Sequence, residues 1–213
     1  MVIIPDYYRG TCCNITTPFD KRSKEDFEML QAFIKKHSVW EGSLRDDWEK
    51  SIYPYAIQHG AESISTIGKK IMFYKFCSKT RKPFPMDYFW LFSILGFCWG
   101  SYVVVKMSES PIIKAGVSMH PSHSKICEQI GENEELQLKN IKCPQLFLPA
   151  GNDHPNTKFG GAGKKVLGDA LKIIEFSDMT HGWSVRGDMA DPVVERDVVK
   201  AFNFTLAFFK QYM

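Results

Sequence analysis

The six cysteines of this chain form no Cys-x-x-Cys pair, and Cys12 and Cys13 are adjacent. That spacing suits neither a zinc cluster nor an ordinary disulfide framework, so no metal site is expected. The thiols read as free ones in a reducing, cytoplasmic compartment. There is no long block of basic residues, and a net charge of +3 is too small to point to nucleic acid. The N-terminus lacks the charged-then-apolar pattern of a signal peptide. Internal repeats and low-complexity linkers are absent too. Charge is also missing from residues 88 to 105, a length near that of a membrane span. Gly96, Gly100, Ser93 and Ser101 interrupt that run, however, and a buried strand feeding a buried helix gives the same hydropathy. No membrane attachment is expected. What remains is an ordinary globular composition: 213 residues, 44% hydrophobic and 24% charged, enough for a single domain over 1–213 with a sizeable core.

Strand-like and helix-like segments alternate. Residues 1–4, 62–67, 112–119, 143–150 and 171–176 read as strands, the first of them buried in a parallel sheet. Ser23 followed by Asp26 predicts a capping box, and Phe27, Leu30 and Ile34 a helix over 24–36. A second helix is expected over 44–58, with Pro54 kinking it or ending it early. Short helices are expected within 128–140 and over 162–168. Asp191-Pro192 opens a long closing helix whose apolar face is Val194, Val198, Phe202, Leu206 and Phe209. The alternation predicts an α/β fold with a mainly parallel sheet.

The chemistry concentrates at Gly96-Phe97-Cys98-Trp99-Gly100. An apolar run precedes it and a helical pattern follows. Two glycines around a thiol at a strand-to-helix turn make a nucleophile elbow, with Cys98 in the place more often held by serine. A buried cysteine beside two loop glycines is the bland alternative. In parallel sheets ligands bind at the carboxyl ends of strands. Asp153 follows the strand at 143–150 and His181 the strand at 171–176. A thiol needs an imidazole to ionise at neutral pH, and the imidazole needs a carboxylate to orient it. Taken singly, Asp153 could be a turn aspartate and His181 a loop histidine. Taken jointly, the order nucleophile, acid, base favours a triad.

At these residues the chain resembles the dienelactone hydrolase family, the cysteine-nucleophile branch of the α/β-hydrolases. The matching stretches are PDYYRGT, GFCWGSY, AGVSMHPS, CPQLFLPAGNDHPN and MTHGWSVRGD. The resemblance implies an α/β-hydrolase fold, with helices flanking the central sheet, and hydrolysis of a small-molecule lactone or ester. Cys98 would attack, His181 would move the proton and Asp153 would orient it, through a thioester intermediate. The Trp99 N–H would supply one oxyanion-hole donor, and Arg9 and Arg186 lie near positions where relatives hold a substrate carboxylate. No metal or organic cofactor is implied.

Two departures from the family stand out. The first strands of the sheet, and the loop giving the second oxyanion donor, are missing before residue 1, and one lost donor costs about 3 kcal/mol of transition-state stabilisation. Residues 69–95 are an atypical insertion with eight aromatics, six bases and one acid. Ser65-Thr66-Ile67-Gly68 and Ser93-Ile94-Leu95-Gly96 both look like the strand that enters the elbow. Either can take the central position, and joining Gly68 to Phe97 would restore one continuous strand, so 69–96 reads as extra sequence such as a retained intron. An impaired relative or fragment acting as a binding module is the alternative function.

Overall fold

A computed structural model describes residues 2–3, 15, 17, 21–38, 40–58, 65–67, 70–72 and 92–212. In chain order the elements are β1 (Val2–Ile3), α1 (Lys24–His37), wide helical turns Trp40–Leu44 and Asp47–Ile52, α2 (Tyr53–Gln58), β2 (Ser65–Ile67) and β3 (Lys70–Met72). Then follow β4 (Phe92–Phe97), α3 (Gly100–Met107), β5 (Ile113–Met119), α4 (His123–Ile130), α5 (Glu134–Asn140) and β6 (Gln145–Leu148). The chain closes with α6 (Ala162–Leu167), β7 (Leu171–Ile173), α7 (Trp183–Arg186) and α8 (Pro192–Tyr212).

Strands β4, β5, β6 and β7 form one parallel sheet in that order. The expected α/β architecture is therefore present. Phe92–Phe97, not the similar Ser65–Ile67, takes the place beside β5, pairing Leu95 with Val117 and Gly96 with Ser118. Val2–Ile3, the described part of the strand expected at 1–4, does not join this sheet, contrary to expectation. Val2–Ile3 pairs antiparallel with β3, as does β2 on its other side. The reason lies in the insertion, whose Lys70–Met72 supplies a partner for both short strands. The remainder of the insertion, 73–91, lies outside the described residues, as do 7–14 with Arg9.

Both faces of the parallel sheet are covered, as a parallel sheet requires. On one side Leu95, Phe97, Val117, Met119 and Leu146 pack against Trp183 and Val198, Ala201, Phe208 and Phe209. On the other, Ile94 packs with Trp99, Tyr102, Val103 and Met107 against Trp40, Leu44, Trp48 and Ile52. Leu206 was expected on the inner face of α8 but is half exposed, and Thr205 and Phe208 point inward instead. A straight 3.6-residue helix over 21 residues drifts away from a strict four-residue stripe.

The predicted capping box forms: Ser23 Oγ accepts from the Asp26 N–H at 3.1 Å, and Asp26 Oδ2 from the Ser23 N–H at 3.0 Å. Pro54 does not end its helix. The wide turns stop at Ile52 and regular α-helix continues through Pro54 to Gln58. Asp191 Oδ1 caps α8 through the Val193 N–H at 2.8 Å. No described helix is long and apolar enough to cross a membrane. Residues 92–105 of the uncharged run are divided between β4, the elbow and α3.

Candidate active site

The elbow follows from steric necessity. Cys98 has φ of 53°, a left-handed conformation that is strained for a residue with a side chain. The turn is so tight that a Cβ on Gly96 would stand 2.4 Å from the Gly100 carbonyl oxygen and 2.7 Å from a Val104 methyl. Cys98 is fixed by its own backbone: its N–H donates to the Met119 carbonyl at 3.1 Å, and its carbonyl accepts from Ser101 Oγ at 2.6 Å. Helix α3 begins at Gly100, so its positive end faces the thiol.

Asp153 stands in the loop after β6 and is buried. Its Oδ2 accepts from the Ala150 N–H at 2.7 Å, which leaves Oδ1 for the His181 Nδ1 at 2.5 Å. His181 sits in the loop after β7, and its N–H donates to Asn152 Oδ1 at 2.6 Å. Gly182 then takes φ of 90°, which turns the chain into α7. The other ring nitrogen, Nε2, lies 3.0 Å from Cys98 Sγ. Three residues far apart in sequence thus meet at the carboxyl ends of β4, β6 and β7.

Burial alone would raise the Cys98 pKa, but contacts with the His181 imidazole, the Ser122 hydroxyl and the Trp99 N–H outweigh it and hold the thiol below its ordinary value. Burial would likewise lower the pKa of His181, and the Asp153 carboxylate and Cys98 sulfur outweigh it in the opposite direction. The pair therefore favours thiolate and imidazolium together.

The elbow also holds residues that the sequence did not single out. Ser122 Oγ is 3.6 Å from Cys98 Sγ and 3.4 Å from His181 Nε2. His120, at φ of 38°, is fully buried with its ring centroid 5.1 Å from that of His181. Its Nε2 shares a 2.7 Å hydrogen bond with Ser184 Oγ. Burial, then the neighbouring charges of His181 and Arg186, push His120 down to about 3, so it stays neutral beside the imidazolium. Both residues follow β5, and the strand-end rule that marked Asp153 and His181 applies to them as well.

The Trp99 N–H helps to lower the Cys98 pKa, while its indole Nε1 donates to the buried Ser38 Oγ at 2.5 Å. Arg186 is exposed and reaches back to the site, its Nη2 donating to the His181 carbonyl at 3.3 Å. Among the described residues no group of three or more His, Cys, Asp or Glu side chains could hold a metal ion. A cavity of about 520 Å³ lies at the other end of α3, between Trp40, Trp48 and Met107, and shares no lining residue with the Cys98 cluster.

The chain is 30% identical over 124 residues to the hydrolase tropI of Talaromyces stipitatus, covering 56% of this chain and 45% of that protein. It is 28% identical over 122 residues to an AIM2 family protein of Schizosaccharomyces pombe, covering 55% and 45%. The chain thus spans a little under half the length of these curated relatives. Among solved structures, the acylaminoacyl peptidase of Pyrococcus horikoshii aligns with 58% of this chain and 24% of its own, at 21% identity and a TM-score of 0.44. The dienelactone hydrolase family model matches residues 1–213 from end to end. With a parallel sheet that carries a glycine-flanked elbow, the chain belongs to the dienelactone hydrolase family.

Proposed function

We propose that this protein is a hydrolase that cleaves a lactone or carboxylic ester with Cys98 as nucleophile, His181 as acid and base, and Asp153 as the group that orients His181. The observation that carries this reading is the continuous line from Cys98 Sγ through His181 Nε2 at 3.0 Å to Asp153 Oδ1 at 2.5 Å. The thiolate attacks the carbonyl carbon, and the oxyanion gathers charge where the Trp99 N–H and the positive end of α3 stabilise it. The His181 imidazolium gives its proton to the departing alkoxide, which leaves a thioester on Cys98. Neutral His181 then takes a proton from water, the hydroxide adds to the thioester, and thiolate is released with the acid product.

Asp153 keeps the Nδ1 proton in place, so that Nε2 does the transfer. Arg186, one helical turn beyond His181, gives the rim a cation suited to an anionic substrate group. The test is a comparison of the purified chain with Cys98→Ala on a nitrophenyl ester. The intact chain is expected to turn over and the variant to fall to the uncatalysed rate. Equal rates for both would overturn the reading and leave a binding module in its place.

A further inference from the structure

The geometry points to the Ser122 hydroxyl as a further catalytic residue, a movable donor that holds the Cys98 thiolate at rest and again as it leaves the thioester. This inference rests on the hydrolase reading above. Ser122 occupies the N-cap position of α4. A serine there ordinarily turns its oxygen onto the N–H groups of its own helix. Ser122 makes no such bond. The capping falls to Ser101 instead, whose Oγ accepts from the Ser122 N–H at 2.8 Å and the His123 N–H at 3.0 Å. The Ser122 hydroxyl is thereby free for the site. It lies 3.6 Å from Cys98 Sγ and 3.4 Å from His181 Nε2.

Its position is fixed from the backbone. The Ser122 N–H also reaches the Cys98 carbonyl at 3.2 Å, so the elbow and the start of α4 are one unit. The hydroxyl can rotate while its oxygen stays in place. At rest it donates to the thiolate. In the thioester the sulfur carries no charge and accepts poorly, so the O–H turns away from it while the lone pair of neutral His181 Nε2 takes the proton of the attacking water. When water attacks and the carbon–sulfur bond breaks, the electron pair returns to sulfur and the O–H turns back to it. Ser122 forms no covalent bond and loses no proton in the cycle.

A thiolate that loses a donor becomes a better nucleophile and a worse leaving group. Ser122→Ala should therefore slow release of the thioester more than its formation. Above the thiol pKa, kcat should fall about tenfold and KM with it, while kcat/KM changes little. The direct measurement is the pH dependence of Cys98 alkylation by iodoacetamide in the intact chain, Ser122→Ala and Ser122→Thr, with Cys98→Ala as blank. The titratable and charged groups facing the thiol are His181 and, around it, Asp153, His120 and Arg186, and all are retained in each variant. The alkylation midpoint should rise by about one pH unit in Ser122→Ala and return in Ser122→Thr. Measured below the pH at which the thiol ionises, the melting temperature of Ser122→Ala should not change, because the hydroxyl caps nothing and its contact with the thiolate contributes stability only once the thiolate has formed. A midpoint identical to the intact chain, or a lower melting temperature without a shifted midpoint, would overturn the assignment. A shifted midpoint with no ester turnover would keep the thiolate contact and sink the hydrolase reading instead.

Discussion

Asp153 divides its two oxygens between two tasks. Oδ2 is held by the Ala150 N–H and Oδ1 by His181 Nδ1. An asparagine at this position must offer either an oxygen or an N–H2 to each partner. If its oxygen stays on Ala150, its amide N–H faces Nδ1 and imposes the wrong tautomer on His181. Asp153→Asn should therefore lower kcat by about 10³–10⁴-fold, with substrate binding nearly retained. In the same variant alkylation of Cys98 should move toward the 9.0 of an ordinary thiol, since the imidazolium is no longer stabilised. A pH–rate comparison of variant and parent checks both. At this scale much was legible. The paired glycines mark a turn that only glycine can line, and the chain order separates acid from base. Ser122 and His120 were not legible: a short helix was expected only within 128–140, so nothing marked a serine at 122, and a histidine after a strand reads as a turn residue. Only the three-dimensional position of Ser101, which takes the N–H groups at the start of α4, shows that the Ser122 hydroxyl is left for the site.

Helices α4 and α5 act as a clamp on the loop that carries Asp153. Glu134, in the first turn of α5, accepts from Ser124 Oγ and from Asn156 Nδ2 at 2.7 Å. The His123 Nε2 stands 3.3 Å away, close but not aligned as a hydrogen bond. Asn156 lies three residues beyond Asp153, so one carboxylate joins both helices to the acid loop. Burial raises the pKa of Glu134, and His123, Ser124 and Asn156 outweigh it and hold it at about 2, against an ordinary 4.5. A depressed carboxyl stabilises the fold above its ordinary value and loses that contribution as pH falls through its folded one. Glu134→Gln should cost about 1–3 kcal/mol near neutrality. The difference in melting temperature from the parent should narrow from pH 4.5 toward pH 2. A difference that stays constant with pH would show that the charge is not the source. None of this was visible in the sequence, where 128–140 was only an acidic stretch with a short helix. Charge placement along one helix does not reveal partners on another element.

The whole molecule contains two versions of one strand, and it uses the second. The alternation of strands and helices made the parallel sheet legible. It could not show which copy enters the elbow, because both end in an apolar residue and glycine. Nor could it show that β1 would pair with the insertion, since antiparallel pairing of such short runs depends on what lies nearby in space. β2 already packs close to β4 and α3, although it belongs to the other sheet. Deleting 69–96 and joining Gly68 to Phe97 places Ser65, Thr66, Ile67 and Gly68 where Ser93, Ile94, Leu95 and Gly96 now pair with Ala115, Gly116, Val117 and Ser118. Gly68 satisfies the elbow, where any Cβ meets the Gly100 carbonyl. Ile67 replaces Leu95 at nearly the same volume. Thr66 is the one mismatch, since it would bring a hydroxyl into the fully buried place of Ile94 at about 1–3 kcal/mol. The shortened chain should fold and keep Cys98 reactive to iodoacetamide below the ordinary thiol range. Adding Thr66→Ile to it should raise its melting temperature. A shortened chain whose Cys98 reacts like free cysteine, or one that Thr66→Ile fails to stabilise, would mean that 62–68 cannot serve as the central strand and that the insertion is a working part of the fold.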